Sequence, residues 1–134
     1  MLVEPIQARG GIRVPSADFL PLLRELCERH GALLLLDEIY TGFGRTGRWF
    51  AVDHWGVRPD ILVAAKGASS GYFPFGFAAT SGEHYALVRR SGFTHGFTFS
   101  HSAVGAAVAG EVLRILEAER LVEASAAKGA HLAG

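Results

Sequence analysis

Apolar and polar positions alternate in blocks along the chain, and each block has its own period. From Phe19 the apolar residues Phe19, Leu22, Leu23 and Leu26 recur at helical spacing, which predicts an amphipathic helix ended by Gly31. Ser16 and Asp18, after Pro15, are its candidate caps. Leu33 to Leu36 is an unbroken apolar run, as expected of a strand covered on both faces. Ile61 to Ala65 is a second such run, preceded by the turn Val57-Arg58-Pro59-Asp60. Between the two runs, Thr41 to Gly47 is rich in glycine and predicts a loop. Ala68 to Gly76 predicts another loop, Phe77 to Thr80 a short strand and Glu83 to Arg90 a short helix. Phe93 to Phe99 is a loop or strand dense in aromatics, and Ser102 to Ala124 predicts one long helix.

Helix, strand, loop, strand, loop, long helix is an α/β order, implying a mainly parallel sheet covered by helices. Such sheets bind ligands beyond the carboxyl ends of their strands. Asp37 and Lys66 each fall there, one residue past an apolar run.

Composition narrows the partners. The 134 residues are 49% hydrophobic and carry 13 basic and 13 acidic side chains, so no basic stripe points to nucleic acid. No apolar run approaches a membrane span, and the first residues lack the basic and apolar regions of a signal peptide. The single cysteine, Cys27, excludes an internal disulfide and fits a reducing, cytoplasmic setting. The six histidines show no zinc-type spacing. Lysine is rare: only Lys66 and Lys128 occur, and Lys128 lies in a small, polar stretch.

Asp37, directly after four leucines, needs a partner to offset its desolvation. A cationic ligand would serve, and so would a backbone cap or an arginine. The Asp37-Glu38 pair also resembles a magnesium-binding Walker B strand of an ATPase, although the companion G-x-x-x-x-G-K-[ST] loop is absent. Lys66 at the end of an apolar strand is expected to be desolvated, which favours the nucleophilic amine, unless its stem simply carries the charge out to water. An amine and an acid at neighbouring strand ends suit pyridoxal 5'-phosphate (PLP), which needs a lysine at its aldehyde carbon and an acid at its pyridine nitrogen.

Asp37-Glu38-Ile39-Tyr40-Thr41-Gly42-Phe43-Gly44-Arg45-Thr46-Gly47 resembles the central signature of the class III, fold type I, PLP-dependent aminotransferases. Pro59-Asp60-Ile61, Ala65-Lys66-Gly67 and Gly71-Tyr72-Phe73-Pro74-Phe75-Gly76 are similar to that family's lysine segment. Glu4-Pro5-Ile6-Gln7 and His95-Gly96-Phe97-Thr98-Phe99-Ser100 resemble its flanking motifs, in the same order.

The resemblance implies an amino-group transfer from an amine or amino acid to a keto acid, with Lys66 carrying PLP as an internal aldimine and then moving protons. It implies that Asp37 pairs with the pyridine nitrogen, that Ile39 packs on the ring and that Tyr40 stands where many members place a glutamine near the 3-hydroxyl. It implies a homodimer in which Thr98 reaches the cofactor phosphate of the neighbouring subunit. Arg9 stands where members acting on ornithine or aminobutyrate carry a glutamate. Gly42, Gly44 and Gly47 are expected to form turns, Arg45 to order the loop, and His95 and His101 to be structural. Residues 1–134 are expected to be one segment of the PLP-binding large domain, with the upstream phosphate loop and the C-terminal small domain outside it. Aminomutase or decarboxylase chemistry on the same scaffold, an ATPase using Asp37-Glu38, and a non-catalytic truncated remnant are the alternatives.

Overall fold

The two apolar runs become adjacent parallel strands in the computed structural model, which describes all 134 residues. The sheet has four strands in the order β1 (Leu2–Val3), β2 (Leu35–Asp37), β3 (Ile61–Ala64) and β4 (Phe77–Thr80). β1 pairs with β2 and β2 with β3 in parallel, and β4 closes the edge antiparallel to β3. The mainly parallel α/β reading therefore holds. The register sets Leu35 opposite Ile61 and Asp37 opposite Val63, so β2 and β3 end almost level. β1 is only two residues long, too short to leave a periodic trace.

Helix α1 (Phe19–Arg29) covers this sheet, but not with the face expected. Leu20 and Cys27 are buried with Leu34, Leu36 and Val52, and Leu23 packs against them. Phe19, Leu22 and Leu26 lie one residue round the helix and stay exposed. Two apolar stripes run side by side on α1, and the sheet takes the one centred on Leu20 and Cys27. Asp18 holds the cap position without a side-chain cap bond.

Helix α2 (Gly82–Arg90) begins at Ser81, whose Oγ accepts from His84 N at 3.2 Å. The long C-terminal helix is in fact two, α3 (Ala103–Ala118) and α4 (Leu121–Ala133). The break falls at Arg120, which adopts φ +51°. No glycine or proline marks it, and a left-handed non-glycine residue costs roughly 1–2 kcal/mol. Tertiary contact offsets that cost. The turn lets α4 lay Val122 and Ala126 over Gly44 and Gly47, so tightly that a Cβ on Gly47 would stand 2.9 Å from that of Ala126. Gly47 also has φ +81°, so glycine is required there twice over.

The accessible surface is 9262 Å². A compact monomer of this 14.3 kDa mass exposes roughly 6,800 Å². The excess is concentrated after Gly76, where β4, α2 and residues 91–99 contain no buried side chain. No helix is long and apolar enough to cross a membrane.

Candidate active site

Asp37 ends β2, half-buried, and its Oδ1 accepts from Ile39 N at 2.9 Å. That bond turns the chain sharply out of the strand, and Oδ2 keeps no protein partner. Asp37 lines a cleft of about 510 Å³ with Val3, Gln7, Arg13 and Phe19.

Lys66 follows β3 by two residues and opens a 3₁₀ turn, Lys66–Ala68. Its backbone is left-handed, φ +45°. The amine makes no ion pair or hydrogen bond and stands 5.8 Å from the centroid of the Tyr40 ring, a cation–π contact worth roughly 0.5–1 kcal/mol when exposed. Tyr40, Phe43, Arg45, Gly67 and Leu116 line its cleft of about 600 Å³. The desolvation expected at this strand end is absent, because Lys66 turns outward and is exposed.

Lys66 and Tyr40 are thus brought together, and Ile39 sits between Asp37 and Tyr40. Asp37 and Lys66 share the carboxyl edge of adjacent strands but line separate clefts. Since Asp37 pairs with Val63 and Lys66 lies three residues on, their Cα atoms are at most about 16 Å apart. Thr98 lies in neither cleft. It belongs to an exposed segment in which Phe93, His95 and Phe97 stack in succession, with ring centroids 6.2 Å apart at each step.

Sequence reasoning gave Glu38 only a Walker B-like role, and the structure gives it another. Its side chain is completely buried. Oε1 accepts from Val52 N at 2.7 Å, and Oε2 accepts from Ala51 N at 3.0 Å and from the Thr41 hydroxyl. With both oxygens engaged by protein donors and no access to solvent, Glu38 has no face to offer a metal-bound nucleotide, which argues against the ATPase alternative. These partners lie up to 14 residues away, so no local motif announces them.

Around this site the residues that PLP chemistry needs are present in kind. There is an unpartnered primary amine, a carboxylate with one free oxygen at the next strand end, and a phenol beside the amine. The family model for aminotransferase class-III matches residues 1–134. The putrescine–pyruvate aminotransferase of Pseudomonas aeruginosa is 42% identical over 123 residues, 91% of this chain and 27% of that protein. The succinylornithine transaminase of Salmonella paratyphi A is 49% identical over 116 residues, 87% of this chain and 28% of its own. Among solved structures, an (S)-enantioselective omega-transaminase from Thermomicrobium roseum superposes with a TM-score of 0.92 at 45% identity, covering 98% of this chain and 30% of that one. A PLP-bound amine transaminase from an uncultivated Pseudomonas species gives 0.92 at 43% identity, covering 98% and 31%. The chain thus spans less than a third of the length of each.

Proposed function

The chain belongs to the class III aminotransferase family, and from that premise we propose that it carries the lysine of a PLP-dependent transaminase, moving an amino group from a primary amine or amino acid to a keto acid. The observation that carries this reading is the unpartnered Lys66 amine over Tyr40, on the sheet edge where Asp37 also ends. Homology to PLP-bound transaminases supports it.

When bound, PLP supplies an electron sink for the donor's α-carbon. Lys66 Nζ would hold the cofactor at its aldehyde carbon and, once the donor amine has taken that place, the freed amine would carry a proton from the donor's carbon to the cofactor's carbon. Asp37, whose Oδ2 has no protein partner, would hold the proton on the pyridine nitrogen. Ile39 would supply an apolar surface for one ring face, and the Tyr40 hydroxyl would be a donor for the ring's 3-hydroxyl oxygen. Putrescine and succinylornithine, named for the relatives, both present a primary aliphatic amine, which is the donor class we assign.

We further assign a homodimer in which the exposed 91–99 segment carries Thr98 to the phosphate of the neighbouring subunit's cofactor. The exposure of Phe93, Phe97 and Phe99 supports this. The single, buried Cys27 fits a cytoplasmic protein.

Borohydride reduction of the PLP-loaded protein followed by peptide mapping tests the assignment. Pyridoxyl is expected on Lys66 and not on Lys128. Lys66→Ala is expected to abolish labelling, and Asp37→Asn to weaken PLP binding and stop turnover. Full transamination by Lys66→Ala would show that the wrong nucleophile has been assigned.

A further inference from the structure

Ile39 and Tyr40, two of the residues assigned to the cofactor, lie on a loop with no regular structure of its own between Asp37 and the 3₁₀ turn Ala51–His54. Three interactions hold its start in place. Glu38 N donates to Val63 O at 2.8 Å, tying the loop to β3. Gly42 N donates back to Glu38 O at 2.9 Å, closing a tight turn around Ile39, Tyr40 and Thr41. The Glu38 carboxylate then gathers Thr41 from one end of the loop and Ala51 and Val52 from the other. Ala51 N and Val52 N are the first two N–H groups of the 3₁₀ turn, which no carbonyl within the turn can satisfy.

The same loop reaches the lysine. Phe43 packs edge-on to Phe50, with centroids 5.4 Å apart, and to Phe77, at 6.3 Å. It also lies flush on Gly67, where an added Cβ would be 3.0 Å from the Phe43 Cβ. Gly67 directly follows Lys66, whose left-handed backbone persists only where its surroundings hold it. The buried carboxylate thus fastens the loop that carries Ile39 and Tyr40, and through Phe43 the loop braces the turn that carries Lys66.

We infer that Glu38 is a positioning residue for the cofactor site: its carboxylate, clamping Thr41, Ala51 and Val52, sets the places of Asp37, Ile39, Tyr40 and Lys66 relative to one another. The inference rests on the PLP reading above. It gives Glu38 no contact with cofactor or substrate.

Two variants test it in the complete, PLP-loaded protein. Glu38→Gln keeps the shape but turns an NH₂ group towards donors. Thr41→Val removes one donor and keeps the charge. Glu38→Gln is expected to speed amide hydrogen exchange at Ala51 and Val52 at least tenfold and to raise the PLP dissociation constant about tenfold, with helix content and oligomeric mass unchanged. Thr41→Val is expected to move both quantities the same way by about threefold. Loosened amides with the parent's PLP affinity and absorbance spectrum would overturn the inference, leaving Glu38 a support of the fold alone. If Glu38→Gln does not fold, Thr41→Val decides: unchanged PLP affinity overturns the inference, and a threefold loss sustains it. Failure of borohydride to label Lys66 in the parent is a separate outcome that removes the PLP reading itself.

Discussion

Residues 34–69 and residues 76–101 are neighbours in one sheet yet are built in opposite ways. The first stretch contains Leu34, Leu36, Glu38, Thr41, Ala51, Val52, Ala64, Ala68 and Ser69, all buried, and it positions every assigned cofactor residue except Thr98. The second stretch contains no buried residue, although it includes Tyr85, Leu87, Phe93, Phe97 and Phe99. One half is closed by its own contacts. The other presents apolar surface that has work to do only against another surface. The homodimer proposed above would offer such a cover.

The contrast is broken most directly in the core. Leu36→Ala is expected to destabilise the protein by about 3 kcal/mol in urea unfolding, because Leu36 is fully buried against α1. Phe97→Ser, in the open half, is expected to change chain stability by less than about 0.5 kcal/mol and instead to weaken self-association in sedimentation. Equal destabilisation by the two would erase the distinction.

Glycines sharpen it further. A Cβ at Gly42 would meet Glu38 O at 3.0 Å and the Phe50 ring at 3.1 Å, whereas one at Gly96 would meet nothing. Gly42→Ala is expected to cost about 2 kcal/mol in thermal unfolding and Gly96→Ala to be nearly silent.

A smaller effect sits at the far end of the closed half. Burial pushes the Asp60 carboxyl up, but the Leu34 N–H and the Arg24 guanidinium, at 2.7 and 2.8 Å, outweigh burial and hold it below the usual range. A depressed carboxylate contributes stability that is complete above its unfolded pKa and is lost as pH falls through the folded value. Asp60→Asn is therefore expected to cost about 1 kcal/mol at neutral pH, with the gap closing below about pH 4. Unfolding curves measured across that interval check the sign.

The parallel strands and the placing of Asp37 and Lys66 at their ends were legible because an unbroken apolar run followed by a charge is a local signal. So were the strand at Phe77–Thr80 and the helix after Ser81. The buried face of α1 was not legible, since periodicity finds a helix but cannot choose between two adjacent apolar stripes. The break at Arg120 was hidden for a related reason: it is imposed by Gly44 and Gly47, more than seventy residues earlier. Glu38 was underestimated because its meaning lies in donors that only the folded loop brings to it. The motif resemblance identified the family, and the coordinates added the buried contacts that hold the loop after Asp37 in place.

The twist at Lys66 carries one last consequence. An L-residue at φ +45° pays a conformational penalty that glycine does not, roughly 1 kcal/mol. A protein with Lys66→Gly should therefore melt slightly above its parent in the absence of cofactor, while having lost the amine altogether. At this position the chain carries a long amine side chain where glycine would leave the backbone more relaxed.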